Sequence, residues 1–153
     1  MPEELDTTDH KIIALLSRDG RMTFTDIGRV VGLSVSAAHA RVTRLADKGL
    51  ITGYIALVDH ALAGLPVAAF LHLDAPDAPT GARIDLLAPM DGVVGCWRTS
   101  GEHDYVAYVR AADMPSLGAL VEAAKSRTKC RVEATVVYET LFENAPVGMW
   151  ETS

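Results

Sequence analysis

Three short segments with helical periodicity, separated by tight turns, most constrain what this chain can fold into. The first opens with a capping residue, Asp6 or Thr8, and stops at Gly20. The second extends from Thr23, a suitable N-cap, to Gly32, which suits a left-handed helix stop. Segments of this kind predict the first two helices of a helix-turn-helix.

The third segment predicts a helix that is apolar on one side and small, polar and basic on the other. It follows a capping residue, Ser34, and ends at Gly49. At 100° per residue, the predicted buried stripe consists of Val35, Ala38, Val42 and Leu45. The opposite side presents Ser36, Ala37, Ala40, Thr43 and Arg44. This amphipathic third helix completes the helix-turn-helix pattern.

The small and polar side of the third helix fits the major groove of a DNA duplex. Small side chains permit close approach to the bases and contact with thymine methyl groups. Because few strong base readers are present, we expect DNA bending and deformability to contribute to sequence choice. Residues predicted to enter or border the groove are Ser34, Ser36, Ala37, His39, Ala40 and Thr43. Residues predicted to contact phosphates, which position the domain, are Thr23, Thr25, Arg41 and Arg44.

The distribution of charge decides whether an acidic chain suits a nucleic-acid partner. The formal charge of −6 argues against one, because binding to a polyanion depends on Lys and Arg. Residues 21–48, however, carry a net charge of +3, whereas residues 61–153 carry a net charge of −5. DNA binding is therefore assigned to the front of the chain. A merely solvated helix face is the alternative explanation for its pattern.

The remainder of the chain predicts an α+β fold with two domains. Alternating apolar residues between Gly49 and Val58 indicate a strand or small hairpin, a candidate wing of a winged helix. The expected order after Pro66 is β-α-β-β-α-β, a ferredoxin-like sandwich. Its strands are predicted at 67–75, 93–100, 105–111 and 130–142, and its helices at 82–90 and 114–126. The predicted domains are a winged helix-turn-helix at 1–52, a hinge strand and linker at 53–65, a sandwich at 66–145 and a tail at 146–153.

Both helices of such a sandwich cover the same face of the sheet, so the other face lacks a cover. Apolar side chains expected there are Phe70, Val94, Trp97 and Tyr108. An apolar patch of this size on a lone subunit favours face-to-face pairing with a second copy. We therefore expect at least a homodimer.

Three stretches of the sequence resemble the Lrp/AsnC (feast/famine) family of transcription regulators in order and spacing. They are LDTTDHKIIALLSRDGR, VGLSVSAAHARVTRLADKGLITGY and TSGEHDYV. The resemblance covers roughly residues 5 to 143. It implies a bacterial or archaeal regulator that dimerises, often assembles into octamers, and binds an amino acid or other small effector in its C-terminal (RAM) domain. The turn SRTKCRV departs from the family pattern, because it lacks a glycine that members frequently place there.

The resemblance also implies an effector site at the loop between the second and third strands of the sandwich. The glycine in this loop suits the presentation of backbone N–H groups to a carboxylate, while an acidic side chain accepts an ammonium group. The predicted loop residues are Ser100, Gly101, Glu102 and Asp104. Arg98, Met114, Val136 and Tyr138 are expected to line the same cleft between dimers. A tight β-turn and ordinary core packing are the alternatives.

Other functions receive less support from the sequence. The longest apolar run, residues 61–73, is shorter than the roughly 20 residues of a membrane span, and no export leader is apparent. Cys96 and Cys130 are expected to be reduced thiols, and no paired spacing indicates a metal site. The expected protein is thus a cytoplasmic DNA-binding regulator without a cofactor. The alternative is a monooxygenase-like or siroheme-decarboxylase-like enzyme that uses His72, His103 and Arg98.

Overall fold

The front of the chain folds into three α-helices in the computed structural model, which describes residues 5–75 and 84–144. They are α1 (Thr7–Arg18), α2 (Phe24–Val31) and α3 (Val35–Asp47). Each begins at a predicted cap, because the side chains of Asp6, Thr23 and Ser34 accept a backbone N–H three residues further on. The predicted helix-turn-helix is therefore confirmed.

The turn between α2 and α3 depends on two glycines. Gly32 ends α2 with φ of 75°, in the left-handed region that favours glycine. Gly28 lies within α2. Its carbonyl accepts a hydrogen bond from the N–H of Leu33, across the turn, at 2.8 Å. A Cβ at residue 28 would lie 2.6 Å from the Leu33 carbonyl oxygen. The backbone of the turn can therefore approach α2 only because residue 28 has no side chain.

A small core joins the three helices. Its buried members are Ile12, Ile27, Ala38, Val42 and Leu45. Three of the four residues predicted for the buried stripe of α3 are therefore confirmed. The prediction for Val35 is wrong, because its side chain is 51% exposed. Val35 is the first residue of α3, and the buried residues of the stripe begin one turn further along, at Ala38.

The segment after α3 differs from its prediction. Residues 50–58 form no strand or hairpin in the structure, so the predicted wing is wrong for this segment. Leu50 and Ile51 instead turn back at the end of α3, where both N–H groups donate to the Leu45 carbonyl. Ile51 packs against the helical core, and Ile55 and Leu57 are exposed.

The second part of the chain is a four-stranded antiparallel sheet with helical cover. Its elements are β1 (Val67–Asp74), β2 (Val93–Arg98), β3 (Tyr105–Ala111), α4 (Met114–Thr128) and β4 (Arg131–Val136). The strand order is β2-β3-β1-β4, in which the first and third strands are central. This order and the single helical layer confirm the predicted ferredoxin-like plan.

Two elements of the sandwich are shorter than predicted. Within the described residues, the helix expected at 82–90 is reduced to one 3-10 turn, Ile84–Leu87. The last strand was expected to continue to residue 142 but ends at Val136. Tyr138 beyond it is fully exposed. The predicted tail at 146–153 lies outside the described residues.

The two faces of the sheet have different surroundings. One face packs on α4 and the 3-10 turn and holds the buried core residues Leu71, Leu73, Leu87, Val109 and Leu117. The opposite face carries Phe70 beside Tyr108, with ring centroids 5.1 Å apart. Trp97, 55% exposed, lies across Gly95, where a Cβ would be 2.8 Å from the indole ring. Phe70 and Val94 are also exposed, as predicted, whereas Tyr108 is half-buried.

The described chain divides into two compact units at Leu57 and Val58. The first contains the three helices together with described residues from Phe142 onward, and the second is Val58–Leu141. The segment 53–65, predicted as a hinge, is thus shared between them. Among residues 5–75 and 84–144, no helix has the length and apolar content to cross a bilayer.

Candidate nucleic-acid interface and effector site

One face of α3 is open to solvent and carries the predicted groove residues. Ser36, His39, Ala40 and Thr43 are exposed, and Ala37 is half-buried at the edge of this face. Ser34 is exposed at the cap, where its Oγ accepts the Ala37 N–H at 3.2 Å and lies 3.1 Å from the Ser36 Oγ. The fold therefore brings all six predicted groove residues onto or beside one accessible surface, which we call the α3 face.

The start of α2 lies beside the α3 face. Phe24, the first residue of α2, packs edge-on against His39, with ring centroids 4.7 Å apart and planes at 79°. An edge-to-face contact of this kind restricts the orientation of the imidazole. Sequence reasoning missed Phe24, because helical periodicity within α2 does not show which side chain of α3 it will meet.

The two predicted phosphate-binding threonines are both exposed near the start of α2. The hydroxyl of Thr23 accepts the Asp26 N–H at 3.1 Å and donates to Asp26 Oδ2 at 2.6 Å. The hydroxyl of Thr23 is therefore already used at the start of α2, both as an acceptor and as a donor. Thr25 is the second residue of α2, and nothing in the described contacts engages its hydroxyl.

The two predicted phosphate-binding arginines of α3 are held by carboxylates of α1. Arg41 Nη1 lies 2.5 Å from Asp6 Oδ2 and 2.8 Å from Asp9 Oδ1. Arg44 Nη2 lies 2.8 Å and 2.7 Å from the two oxygens of Asp9. Asp9 is buried, with 1% of its side chain exposed, whereas the two arginines remain about one-third exposed at 29% and 35%. We call these four residues the α1–α3 charge cluster.

The charge cluster is electrically balanced. The hydrogen bond from Arg41 holds the pKa of Asp6 below its ordinary value. Burial acts to raise the pKa of Asp9, but hydrogen bonds from Arg41 and Arg44 outweigh it, so its pKa is also lowered. The same contacts with Asp6 and Asp9 raise the pKa of Arg41. Two carboxylates thus compensate two of the cations that gave residues 21–48 their positive charge.

The predicted effector loop joins β2 to β3 and is open to solvent. Ser100, Gly101, Glu102 and Asp104 are all exposed. The loop is closed by Thr99, whose N–H donates to the Asp104 carbonyl at 3.0 Å and whose hydroxyl donates to the His103 carbonyl at 2.5 Å. One oxygen of the Asp104 carboxylate accepts the Ala75 N–H at 2.8 Å. Asp104 therefore already has a structural contact with the end of β1.

His103 lies on the same loop and makes contacts that the sequence did not indicate. Its Nδ1 is 3.1 Å from Asp74 Oδ1, and its ring lies 4.8 Å from the ring of His72. His72 Nε2 is in turn 3.1 Å from the Thr135 hydroxyl. The contacts of His103 fix the loop against the end of β1, and His72 in turn joins β1 to β4. Among the described residues, no group of three His, Cys, Asp or Glu side chains is placed to hold a metal ion.

The predicted cleft residues do not meet within one subunit. Arg98 on β2 and Leu73 on β1 both pair with Tyr105 of β3, so they lie in one row across the sheet. Val136 on β4 pairs with Ala69 of β1. These rows are four residues apart along β1, a distance of about 13 Å. Arg98 is also on one edge strand and Val136 on the other, three strand spacings or about 14 Å apart.

Met114 and Tyr138 lie with Val136 rather than with the loop. Met114 opens α4 just after the end of β3, and Tyr138 follows the end of β4. Both strand ends are at the edge of the sheet opposite the loop 100–104. The predicted effector residues therefore form two groups in one subunit, one at each end of the sheet. Arg98 belongs with the loop group.

Comparison with known proteins gives the same division of the chain. The sequence profile of the AsnC-type helix-turn-helix domain matches residues 5–46, and that of the Lrp/AsnC ligand binding domain matches residues 69–147. The regulator LrpA of Mycobacterium tuberculosis is 31% identical over 94% of this chain and 97% of its own. The regulator Ptr1 of Methanocaldococcus jannaschii is 35% identical over 74% of this chain and 77% of its own.

A solved structure extends the likeness to three dimensions. It is a feast or famine regulatory protein from M. tuberculosis, complexed with L-methionine. Its TM-score is 0.87 at 30% identity, and the match covers 92% of this chain and 96% of that one. The chain therefore belongs to the Lrp/AsnC family of transcriptional regulators.

Proposed function

We propose that this regulator binds double-stranded DNA through the α3 face and that a small effector bound to the sandwich controls its affinity. The observation that carries the proposal is the exposure of small and polar side chains on one face of α3, while the opposite stripe is buried. This helix reads the major groove through Ser34, Ser36, Ala37, His39, Ala40 and Thr43. Thr25, Arg41 and Arg44 border it as phosphate contacts, and Thr23 joins them only where its hydroxyl leaves Asp26 for a phosphate.

The proposed effector is a free amino acid. The family's ligand-binding domain is present, and a relative of the same fold is complexed with L-methionine. The exposed loop residues Ser100, Gly101 and Glu102 suit a zwitterion, with backbone N–H groups for its carboxylate and acidic side chains for its ammonium. Asp104 contributes through the carboxylate oxygen that Ala75 does not engage.

The proposed assembly is at least a homodimer in the cytoplasm, formed over the open sheet face with Phe70 and Trp97. Because the two groups of predicted effector residues lie at opposite ends of one sheet, a second subunit is needed to bring them together. The loop and Arg98 of one subunit then face Met114, Val136 and Tyr138 of another. An effector in such a site favours one assembly and so changes DNA affinity by linkage.

Fluorescence anisotropy tests the proposal. The full chain is titrated into labelled duplexes tiled across its own upstream region, at moderate salt and with competitor DNA. One tile should bind at least tenfold more tightly than the others, and an amino acid that raises the melting temperature of the protein should change that affinity. Equal binding of all tiles, or no binding, would contradict the DNA-binding role. A Soret band on the purified protein would instead favour a tetrapyrrole enzyme.

A further inference from the structure

The charge cluster contains two aspartates with different environments. Asp9 is buried and is bonded to both arginines, so it belongs to the packing of α1 on α3. The Asp6 side chain is 51% exposed and reaches Arg41 through one oxygen. Arg41 also donates to Asp9 Oδ1 at 2.8 Å, a bond in which Asp6 takes no part. The Asp6 contact is therefore separable from the packing of the helices.

The position of Arg41 places this exposed contact beside the α3 face. At 100° per residue, Arg41 lies on the flank of α3 between the exposed Ala40 and the buried Val42. A helix seated in the major groove has the phosphate backbones along its flanks. The guanidinium of Arg41 is thus near the expected path of a phosphate, and so is the carboxylate of Asp6.

A carboxylate and a phosphate need the same donors. Both accept charge-assisted hydrogen bonds from the fork of a guanidinium, often in the same bidentate geometry. The Arg41 Nη1 that donates to Asp6 at 2.5 Å is therefore unavailable to a phosphate while that bond persists.

We infer that Asp6 competes with the DNA backbone for Arg41 and thereby sets the DNA affinity of this regulator below the value that its α3 face would otherwise reach. The inference depends on the proposed DNA-binding role of α3. In the free protein Asp6 occupies the guanidinium. On the duplex, Arg41 exchanges Asp6 for a phosphate while Asp9 keeps the arginine in place.

Asp6→Asn is the informative variant, because asparagine is also a strong N-cap and preserves the start of α1. Binding is measured by anisotropy on the preferred tile, or on a mixed-sequence duplex at low salt, across a series of salt concentrations. We expect about two- to fivefold tighter binding, the range for releasing an exposed ion pair. The slope of log affinity against log salt should steepen by about 0.9, one further phosphate contact.

Two further variants separate competition from general charge effects. Asp19→Asn removes the same charge from an exposed position at the end of α1 and should leave the salt slope unchanged. In an Arg41→Gln background, Asp6→Asn should give no gain, because the contested cation is absent. Asp6→Ser, also a good cap, should reproduce the gain if Asp6→Asn folds poorly.

The outcomes are distinct. If the wild-type chain binds no duplex, the proposed function fails and this inference fails with it. If the wild type binds but Asp6→Asn binds equally or more weakly, Asp6 does not compete for Arg41. A gain that persists in the Arg41→Gln background would show simple repulsion between Asp6 and DNA, and would also overturn the inference.

Discussion

Arg44 of α3 places one guanidinium nitrogen within 2.8 Å of both carboxylate oxygens of Asp9, a residue 35 positions earlier in α1. The contact joins the helix that carries the proposed DNA-reading residues to the first helix of the domain. Because Arg41 binds the same carboxylate, two successive turns of α3 are tied to one buried charge. The orientation of α3 thus depends on an ionic contact as well as on the apolar core.

Asp9→Ala should destabilise the helical unit by about 2 kcal/mol. This is less than the roughly 3–5 kcal/mol for breaking a fully buried pair, because both arginines are partly solvated. Hydrogen exchange of amides in α1 and α3 measures the effect on this unit separately from the sandwich. Asp47→Asn, at the exposed end of α3, is the matched control and should change little. Equal protection in both variants would contradict the importance of the cluster.

The stability of the helical unit should depend on acidity in a defined direction. The pKa values of Asp6 and Asp9 lie below the ordinary value of 3.8. Their contribution is therefore complete above this value and is lost as pH falls below it. Thermal melting from pH 6 to pH 2.5 should show the loss below about pH 4. Arg41→Gln should weaken this dependence, and an unchanged profile would count against the proposed ion pairs.

Thr43→Glu should reduce DNA affinity by at least tenfold, because it places a carboxylate on the exposed α3 face, next to the phosphates and base edges. Thr43 is exposed, so the melting temperature should change little. Ser126→Glu adds the same charge to an exposed position of α4 and serves as the control. Similar anisotropy titrations for the two variants would show that the α3 face does not contact DNA.

Asp104→Asn tests the effector loop without removing its structural contact. The amide oxygen can still accept the Ala75 N–H, while the negative charge proposed to bind an ammonium is lost. Calorimetry should show about tenfold weaker binding of the amino acid identified by thermal shift, with DNA affinity of the effector-free protein retained. Asp91→Asn, an exposed aspartate elsewhere in the sandwich, is the control. Equal ligand affinity in both variants would remove Asp104 from the site.

Trp97→Arg should weaken self-association, since it introduces a charge on the sheet face proposed to pair with a second copy. Sedimentation velocity over a range of protein concentrations should show a larger monomer fraction than in the wild type. Leu62→Arg replaces another exposed apolar residue outside the sheet and provides the comparison. A dimer unaffected by Trp97→Arg would place the interface elsewhere.

Local chemistry made much of the fold predictable. The caps Asp6, Thr23 and Ser34 follow from residue type and position alone, and so does the left-handed stop at Gly32. The ferredoxin-like plan follows from the order of periodic segments. The predictions that failed concern burial by neighbouring elements, which the periodicity of one segment does not determine. Val35 has the apolar character and spacing of its stripe, but as the first residue of α3 it is exposed.

The candidate site was only partly predictable for the same reason. The exposed residues of α3 follow from the helical wheel, but the ties from Arg41 and Arg44 to α1 span more than 30 residues of sequence. Two acids three residues apart at the start of α1 are the only local signal of that contact. The separation of Arg98 from Val136 likewise depends on strand order and register, which single-strand patterns do not specify.

The close approach at Gly28 is a backbone contact, so it does not depend on the side chains of the α3 face. Since α2 meets the Leu33 carbonyl through bare backbone, the turn that leads into α3 is positioned without a contribution from the small side chains proposed to read the bases. If Ser36 and Thr43 read the bases as proposed, substitutions there should change the preferred operator without disturbing this turn. A residue with a side chain at position 28 would instead push the turn away from α2 and so displace α3 as a whole.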